Sequence, residues 1–514
     1  MSKNIPPLDL MFLLTETADS PKHVSALLTF DAPEGGSAEA VREIVAAYRA
    51  AQPVPPFTWV ADFAPAGLPR WTGAPAVELR RHVHHLLLPA GADRDELDSL
   101  LQSLHESMLD RSRPGFDLYF IEGLPGGGFA LFVKLHHAIV DGASAMALLL
   151  ASMADSAAER RIQPFFALQL SAPKPRAPKA LTERLMALQK TARVQGAAAA
   201  GLYVGLVRKG IGRLLGAARA GSEPFAAVAR TPLNATIRTS RSIATLSLPI
   251  DEMRAAGKAF GGTLNDVAVT IVDAGLHRYL EHIGQPVMRE LVAMCPVSLR
   301  EPGDKEATTK VSALFAPLAA ATAPVGERMQ QVIKGIAGAK AELGAMSKDA
   351  AMLYAIAAFG FAEAEAELAR LRRSLARPVA NFVLSNVPGS PKPLYLNGAR
   401  LTGMYPISSI AGGMGLNVTL ASYAGSMDFG FVGNGVALPH LSELARFTRE
   451  AFDELKAAAA KRVPPDAAAA GDAAGKTATK PAKKAARKAP KAAAKSAPQA
   501  ATKARRAPKR AAQR

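Results

Sequence analysis

Seven residues of this chain could do chemistry together: His136-His137-Ala138-Ile139-Val140-Asp141-Gly142. They supply a base, a carboxylate and a turn former in one short string. A free imidazole titrates near pH ~6.5, so a histidine inside a protein is largely neutral and ready to take a proton at neutrality. Asp141 lies four residues beyond the base and across a turn. It reads as a loop anchor, held by a cation or by backbone amides, rather than as a proton carrier. Gly142 permits a sharp turn. A second pair, His84-His85, runs into Leu86-Leu87-Leu88-Pro89 with no Asp-Gly behind it, and reads as ordinary strand residues. The single cysteine, Cys295, sits in an apolar run at 291–297, where a small buried hydrophobe is expected rather than a nucleophile. One cysteine makes no internal disulfide, which fits a reducing cytoplasm.

The elements that must hold the histidines follow from periodicity. Phe129, Leu131, Val133 and Leu135 alternate with Ala130, Phe132 and Lys134, the pattern of a half-buried strand. Continued, it puts His137 on the apolar face, pointing inward. Neighbouring strand residues face opposite ways, so His136 is secondary. Residues 143–154 read as a buried helix. Further strands are expected at 26–30, 77–88 and 116–122, and residues 123–128 as a hairpin loop. No helix follows that glycine run, so it is not read as a phosphate cradle. Beyond residue 240, strands are expected at 243–248, 291–297, 382–385, 416–422 and 427–432. Helices are expected at 251–260, 265–280, 349–372 and 441–456. The 349–372 helix is apolar all round in its first half, which suits an acyl-pocket lining or a bilayer contact, and most often a buried core segment.

The length of 514 residues allows two or three domains, and 49% hydrophobic content supports a large core. The net charge of +18 resembles a nucleic-acid signal until it is located. Residues 461–514 hold 16 Lys/Arg against 2 Asp and so carry +14 of it, leaving +4 for the rest. This Ala/Lys/Pro tail lacks the apolar residues a core needs and is expected to be disordered. Its electrostatic partner is DNA or anionic lipid; the bland alternative is a solubilising extension. Residues 161–240 are rich in Ala, Lys, Arg and Pro and are expected to be largely helical. They are read either as a basic amphipathic segment in a membrane interface or as a solvated crossover. The opening residues show no secretory signal pattern. The uncharged run 194–207 is too short to span a bilayer.

With these residues in hand, the chain resembles the chloramphenicol acetyltransferase-like, CoA-dependent acyltransferases through its H-H-x-x-x-D-G string. It is similar, more narrowly, to the bacterial wax ester synthase / acyl-CoA:diacylglycerol acyltransferases. That narrower resemblance rests on Pro7-Leu8-Asp9, Pro21-Lys22-His23-Val24, Leu109-Asp110-Arg111-Ser112-Arg113-Pro114 and Thr231-Pro232-Leu233-Asn234. It rests also on Asn265-Asp266, Pro296-Val297-Ser298-Leu299-Arg300 and Ser385-Asn386-Val387-Pro388-Gly389. The resemblance implies an α/β fold of two acetyltransferase-like halves, each a mixed sheet with flanking helices. The halves are expected at 1–160 and 241–460, joined by the 161–240 crossover and followed by the tail. It implies acyl transfer from long-chain acyl-CoA to diacylglycerol or a long-chain alcohol, in a tunnel between the halves. His137 would be the general base, and Arg300 the partner of Asp141. Asn265, Asp266, Ser385 and Asn386 would support substrate or site, although a plain helix-start role suits Asn265 and Asp266 equally. No metal or prosthetic cofactor is implied, acyl-CoA being a substrate. The implied location is cytoplasmic, peripheral to the inner membrane or to lipid inclusions. One departure is Pro114-Gly115-Phe116 where the family usually has Pro-Leu-Trp, which bears on acyl-chain preference. Two other readings stay open: a related acyltransferase with a different acceptor, and a degenerate, non-enzymatic homologue tethering lipid granules through its tail.

Overall fold

The computed structural model describes residues 2–32, 36–63, 69–89, 91–169, 228–298, 311–346, 378–410 and 412–462. Within 350–366 it describes 350–351, 354–355, 357–360, 362–363 and 366. The basic segment at 170–227, Arg300 and the tail from 463 lie outside the described residues, and so do the expectations placed on them.

The described residues form two six-stranded mixed sheets and one small sheet. The first large sheet runs β12-β13-β2-β7-β6-β5, with β2 at His23–Phe30, β5 at Val83–Leu87, β6 at Phe116–Glu122 and β7 at Phe129–His136. The edge strand β12 (Tyr395–Leu396) and its neighbour β13 (Ala399–Ile407) come from far along the chain, β13 pairing antiparallel with β2. The second sheet runs, in order, β10 (Val311–Pro317), β9 (Val292–Ser298), β11 (Phe382–Val387), β14 (Leu416–Tyr423), β15 (Ser426–Asn434) and β8 (Arg241–Pro249). The small antiparallel sheet is Ser2–Asn4, Arg70–Gly73 and Trp59–Asp62. The α/β class with two mixed sheets is as the sequence implies. The strand exchange through 395–407 is not visible in it.

Three corrections follow. First, β7 is buried along its whole length, not half-buried. Leu131, Val133 and Leu135 face the first core, while Ala130 and Phe132 pack with Ile243, Ile407 and Val432 in a cluster shared by both sheets. A strand buried on both faces loses its alternation signal. Lys134 survives there because its Nζ donates to the carbonyls of Leu104 and Ser107, at the end of helix α3 (Arg94–Glu106). Second, the strand ends at His136, so the period-two argument does not reach His137. Third, the 77–88 strand is cut by a 3-10 turn at Leu79–Arg81, and only Val83–Leu87 pairs with β6.

Other segments follow local rules. Asp93 caps α3 in a reciprocal box with Glu96. Thr263 and Asp266 do the same for the helix Leu264–His282, which is the central element of the second core. The described residues of 350–366 are helical, and Ala351, Tyr354, Ala355, Ala358 and Ala362 are buried, the core reading of that apolar stretch. The 123–128 loop joins β6 and β7 as a hairpin. Among the described residues no helix is long and apolar enough to cross a membrane.

Candidate active site

His136 closes β7 opposite His23 of β2, and its amide donates to the Gly115 carbonyl at 2.8 Å. The chain then turns. Ala138 N–H donates to His136 Nδ1 at 3.1 Å, so the neutral ring carries its proton on Nε2. That Nε2 is buried and approaches Glu16 Oε2 at 3.4 Å, a close approach rather than an aligned hydrogen bond.

His137 faces another way. Its amide donates to the Lys22 carbonyl at 2.8 Å, and its ring stacks on Phe12 with centroids 4.1 Å apart. Phe12 belongs to α1 (Pro7–Thr15). Burial pushes the His137 imidazole below its ordinary 6.5, with His136 and Lys22 adding to the effect. Asp141 and the ring's own main-chain carbonyl oppose it. The net result is a neutral imidazole at pH 7, the form that accepts a proton.

Asp141 is the N-cap of α4 (Gly142–Ala151): its Oδ1 accepts the Ser144 amide at 2.8 Å. The expected anchoring through a backbone amide is therefore present. The role expected of Gly142 is corrected. Its φ is not positive, and a Cβ there would meet nothing within 4 Å. The turn is made by the cap, and Gly142 is simply the first helical residue beside open space.

Asp266 acts at a helix start, its Oδ2 accepting from the Thr263 amide at 2.7 Å and hydroxyl at 2.8 Å. Asn265 does something else: its Oδ1 accepts from Asn386 Nδ2 at 2.7 Å, joining two motifs 121 residues apart. Ser385 Oγ lies 2.8 Å from Thr419 Oγ1 across the β11 (Phe382–Val387) and β14 (Leu416–Tyr423) pair. Helix α4 packs against β11, which brings the Ser-Asn-Val-Pro-Gly strand to the histidine side of the fold.

Sequence reasoning missed Glu16. Its buried carboxylate accepts the Lys22 amide through Oε1 at 2.9 Å and Arg111 Nε through Oε2 at 3.0 Å. Burial alone would raise its pKa, but His136, the Lys22 amide and Arg111 outweigh that and hold it at about 2. No periodic or motif signal marks such a residue, since its partners converge only in three dimensions. Gly115 also gains a role. A Cβ there would stand 2.8 Å from His136 Cβ and 3.0 Å from Ile139 Cδ1. It borders a small cleft of about 30 Å³ beside His136, walled by Trp59, Phe63, Trp71, Leu13 and Ile139.

Comparison with known proteins bears on what this arrangement belongs to. Residues 5–268 match the wax ester synthase/diacylglycerol acyltransferase catalytic domain, and residues 308–456 match the WS/DGAT C-terminal domain. A Mycobacterium tuberculosis protein bearing the name diacylglycerol O-acyltransferase is 30% identical over 505 residues, covering 89% of this chain and 98% of that one. Another from the same species, tgs2, is 32% identical over 459 residues, covering 88% and 98%. The solved wax ester synthase/diacylglycerol acyltransferase of Marinobacter aquaeolei VT8 superposes with a TM-score of 0.70 at 28% identity, covering 89% of this chain and all of that one. The first condensation domain of the calcium-dependent antibiotic synthetase superposes at 0.54 with 18% identity, over 90% and 97%, a likeness of fold alone. The chain belongs to the wax ester synthase/diacylglycerol acyltransferase family.

Proposed function

We propose that this chain transfers the acyl group of a long-chain acyl-CoA to the hydroxyl of diacylglycerol or of a long-chain alcohol, with His137 as general base. The observation that carries the reading is the placement of His137, held at its amide by Lys22 and on its ring by Phe12, within a chain of this family. The acceptor oxygen attacks the thioester carbonyl as His137 takes its proton. The C–S bond then breaks, and His137 returns the proton to the leaving sulfur. Ester and free CoA are the products, and the balance needs no other reactant. General-base help of this kind is worth roughly 10²–10⁴ in rate. Asp141 keeps the loop in place through the α4 cap, and the Asn265–Asn386 pair braces the side of the site built by the second sheet. Peripheral contact with a membrane or lipid inclusion follows from the substrates' chemistry, and it belongs to the same proposal.

The test is release of free CoA by the purified protein from palmitoyl-CoA, with dioleoylglycerol and hexadecanol as separate acceptors. Acceptor-dependent release that collapses in His137→Ala supports the reading. Release with neither lipid, from folded protein, would sink it and favour a different acceptor.

A further inference from the structure

Among the described residues, five large apolar side chains stand exposed: Leu14, Phe63, Leu87, Met288 and Val436. Two of them meet at one guanidinium. Arg111 Nη2 donates to the Leu13 carbonyl at 3.2 Å and to the Glu16 carbonyl at 3.4 Å, so the end of α1 wraps one side of it. The Phe63 ring lies against the same group, with Cζ 5.6 Å from its centroid. Leu14, 58% exposed, and Phe63, 42% exposed, therefore belong to one stretch of surface. That surface continues inward, since Leu13 and Phe63 both wall the cleft beside His136. Trp59 and Trp71 wall it with them, and they are the chain's two tryptophans. Trp59 is half-buried, stacked on Trp71 with centroids 6.2 Å apart, and Lys3 Nζ sits 4.8 Å over its ring.

An apolar patch rimmed by tryptophan and long cationic side chains has the composition of a surface at lipid headgroup depth. The charges nearby cancel: Lys3, Arg70 and Arg111 stand against Asp9, Glu16 and Asp62, and Arg113 is paired with Asp117. A face without net charge does not select a polyanion, and apolar contact is left as its means of attachment. We propose that Leu14 and Phe63 dock the protein on a zwitterionic phospholipid surface, with Trp59 at headgroup depth. The inference rests on the reading of the acceptor as diacylglycerol or a long-chain alcohol, substrates that reside in lipid rather than in water. Phe12 of α1 stacks on His137 only two residues before Leu14, so docking would hold the lipid phase within one helical turn of the base's neighbour.

The experiment floats full-length protein with phosphatidylcholine vesicles, which lack the anionic charge that would recruit the basic tail. Tryptophan emission is then compared on plain and on brominated phosphatidylcholine. Both tryptophans lie in the small sheet beside the patch, so quenching reports on this face. Wild type should float and lose emission to the brominated lipid. Leu14→Ser with Phe63→Ser should lower the partition coefficient roughly tenfold or more and remove the quenching. Met288→Ser, which alters a residue 70% exposed in the second half of the chain, should change neither. Emission that brominated lipid leaves unquenched in wild type overturns the proposal whatever the variants do. So does flotation retained by the folded double variant, an equal loss in Met288→Ser, or binding that appears only with anionic lipid. A wild type that ignores vesicles but self-associates through these residues makes the patch a contact between copies, which also overturns it. Free-CoA release, with dioleoylglycerol included in the same vesicles, separates the two readings. Quenching without release leaves the docking face standing and removes the acyl-transfer reading, and release without quenching does the reverse.

Discussion

Glu16 Oε2 stands 3.4 Å from His136 Nε2, while Oε1 of the same carboxylate holds the amide of Lys22, whose carbonyl holds His137. One buried anion therefore lies behind both histidines. Arg111 completes its charge balance.

Replacing Glu16 by Gln is expected to cost about 1.5–3 kcal/mol, the usual worth of hydrogen bonds to a buried charge. The pH dependence has a definite sign. The folded carboxyl, at about 2, lies below its ordinary 4.5, so its stabilising effect is complete above pH 4.5 and is lost as pH falls toward 2. Thermal melts of wild type and Glu16→Gln should differ most near neutrality and converge at the acid end. A gap that persists at pH 2 would refute this account.

His137→Ala should lower kcat by roughly 10²–10⁴, and His136→Ala by less, since the His136 Nε2 is buried 3.4 Å from Glu16 Oε2. Because the His137 imidazole sits below 6.5, the acid limb of the pH–rate profile should also fall below 6.5, with a flat rate through neutrality. If His136→Ala is the more damaging change, the roles are reversed.

Two glycines of the motif region should respond oppositely to alanine. At Gly115 the new Cβ meets His136 Cβ at 2.8 Å, so Gly115→Ala should destabilise by about 1–3 kcal/mol and reduce turnover. At Gly142 the Cβ meets nothing, and in a helical first turn Gly142→Ala should be neutral or gain about 0.5 kcal/mol. Denaturant midpoints of the two variants decide this directly.

Asn265→Ala removes one hydrogen bond at an exposed place, a change of about 0.5–1.5 kcal/mol in stability. If the pair only braces the site, turnover should fall by less than tenfold. A hundredfold loss in folded protein would assign Asn265 to the substrate instead.

Cys295 lies in β9 (Val292–Ser298), where burial pushes its thiol up to about 12. A thiol so rarely ionised is a poor nucleophile. The native protein should resist alkylation at pH 8 and react rapidly once unfolded. Fast labelling of native protein would contradict the raised pKa.

What the chain determined by itself was local. Strands such as Phe116–Glu122 and Leu416–Tyr423, the helix after Asp141, and the helix start at Asp266 follow from periods and spacings among neighbours. The H-H-x-x-x-D-G string marked the site for the same reason: its parts are adjacent. Tertiary structure alone decided which way each histidine faces, because β7 is buried on both sides and ends one residue before His137. It alone sent Ala399–Ile407 into the first sheet. It alone gathered Glu16, Arg111, Lys22 and Glu363, whose pairings span 6, 95 and 341 residues. Hydrogen bonds and ion pairs at such separations impose no repeat on the chain. They form because burying those polar groups without partners would cost more than the fold can sustain.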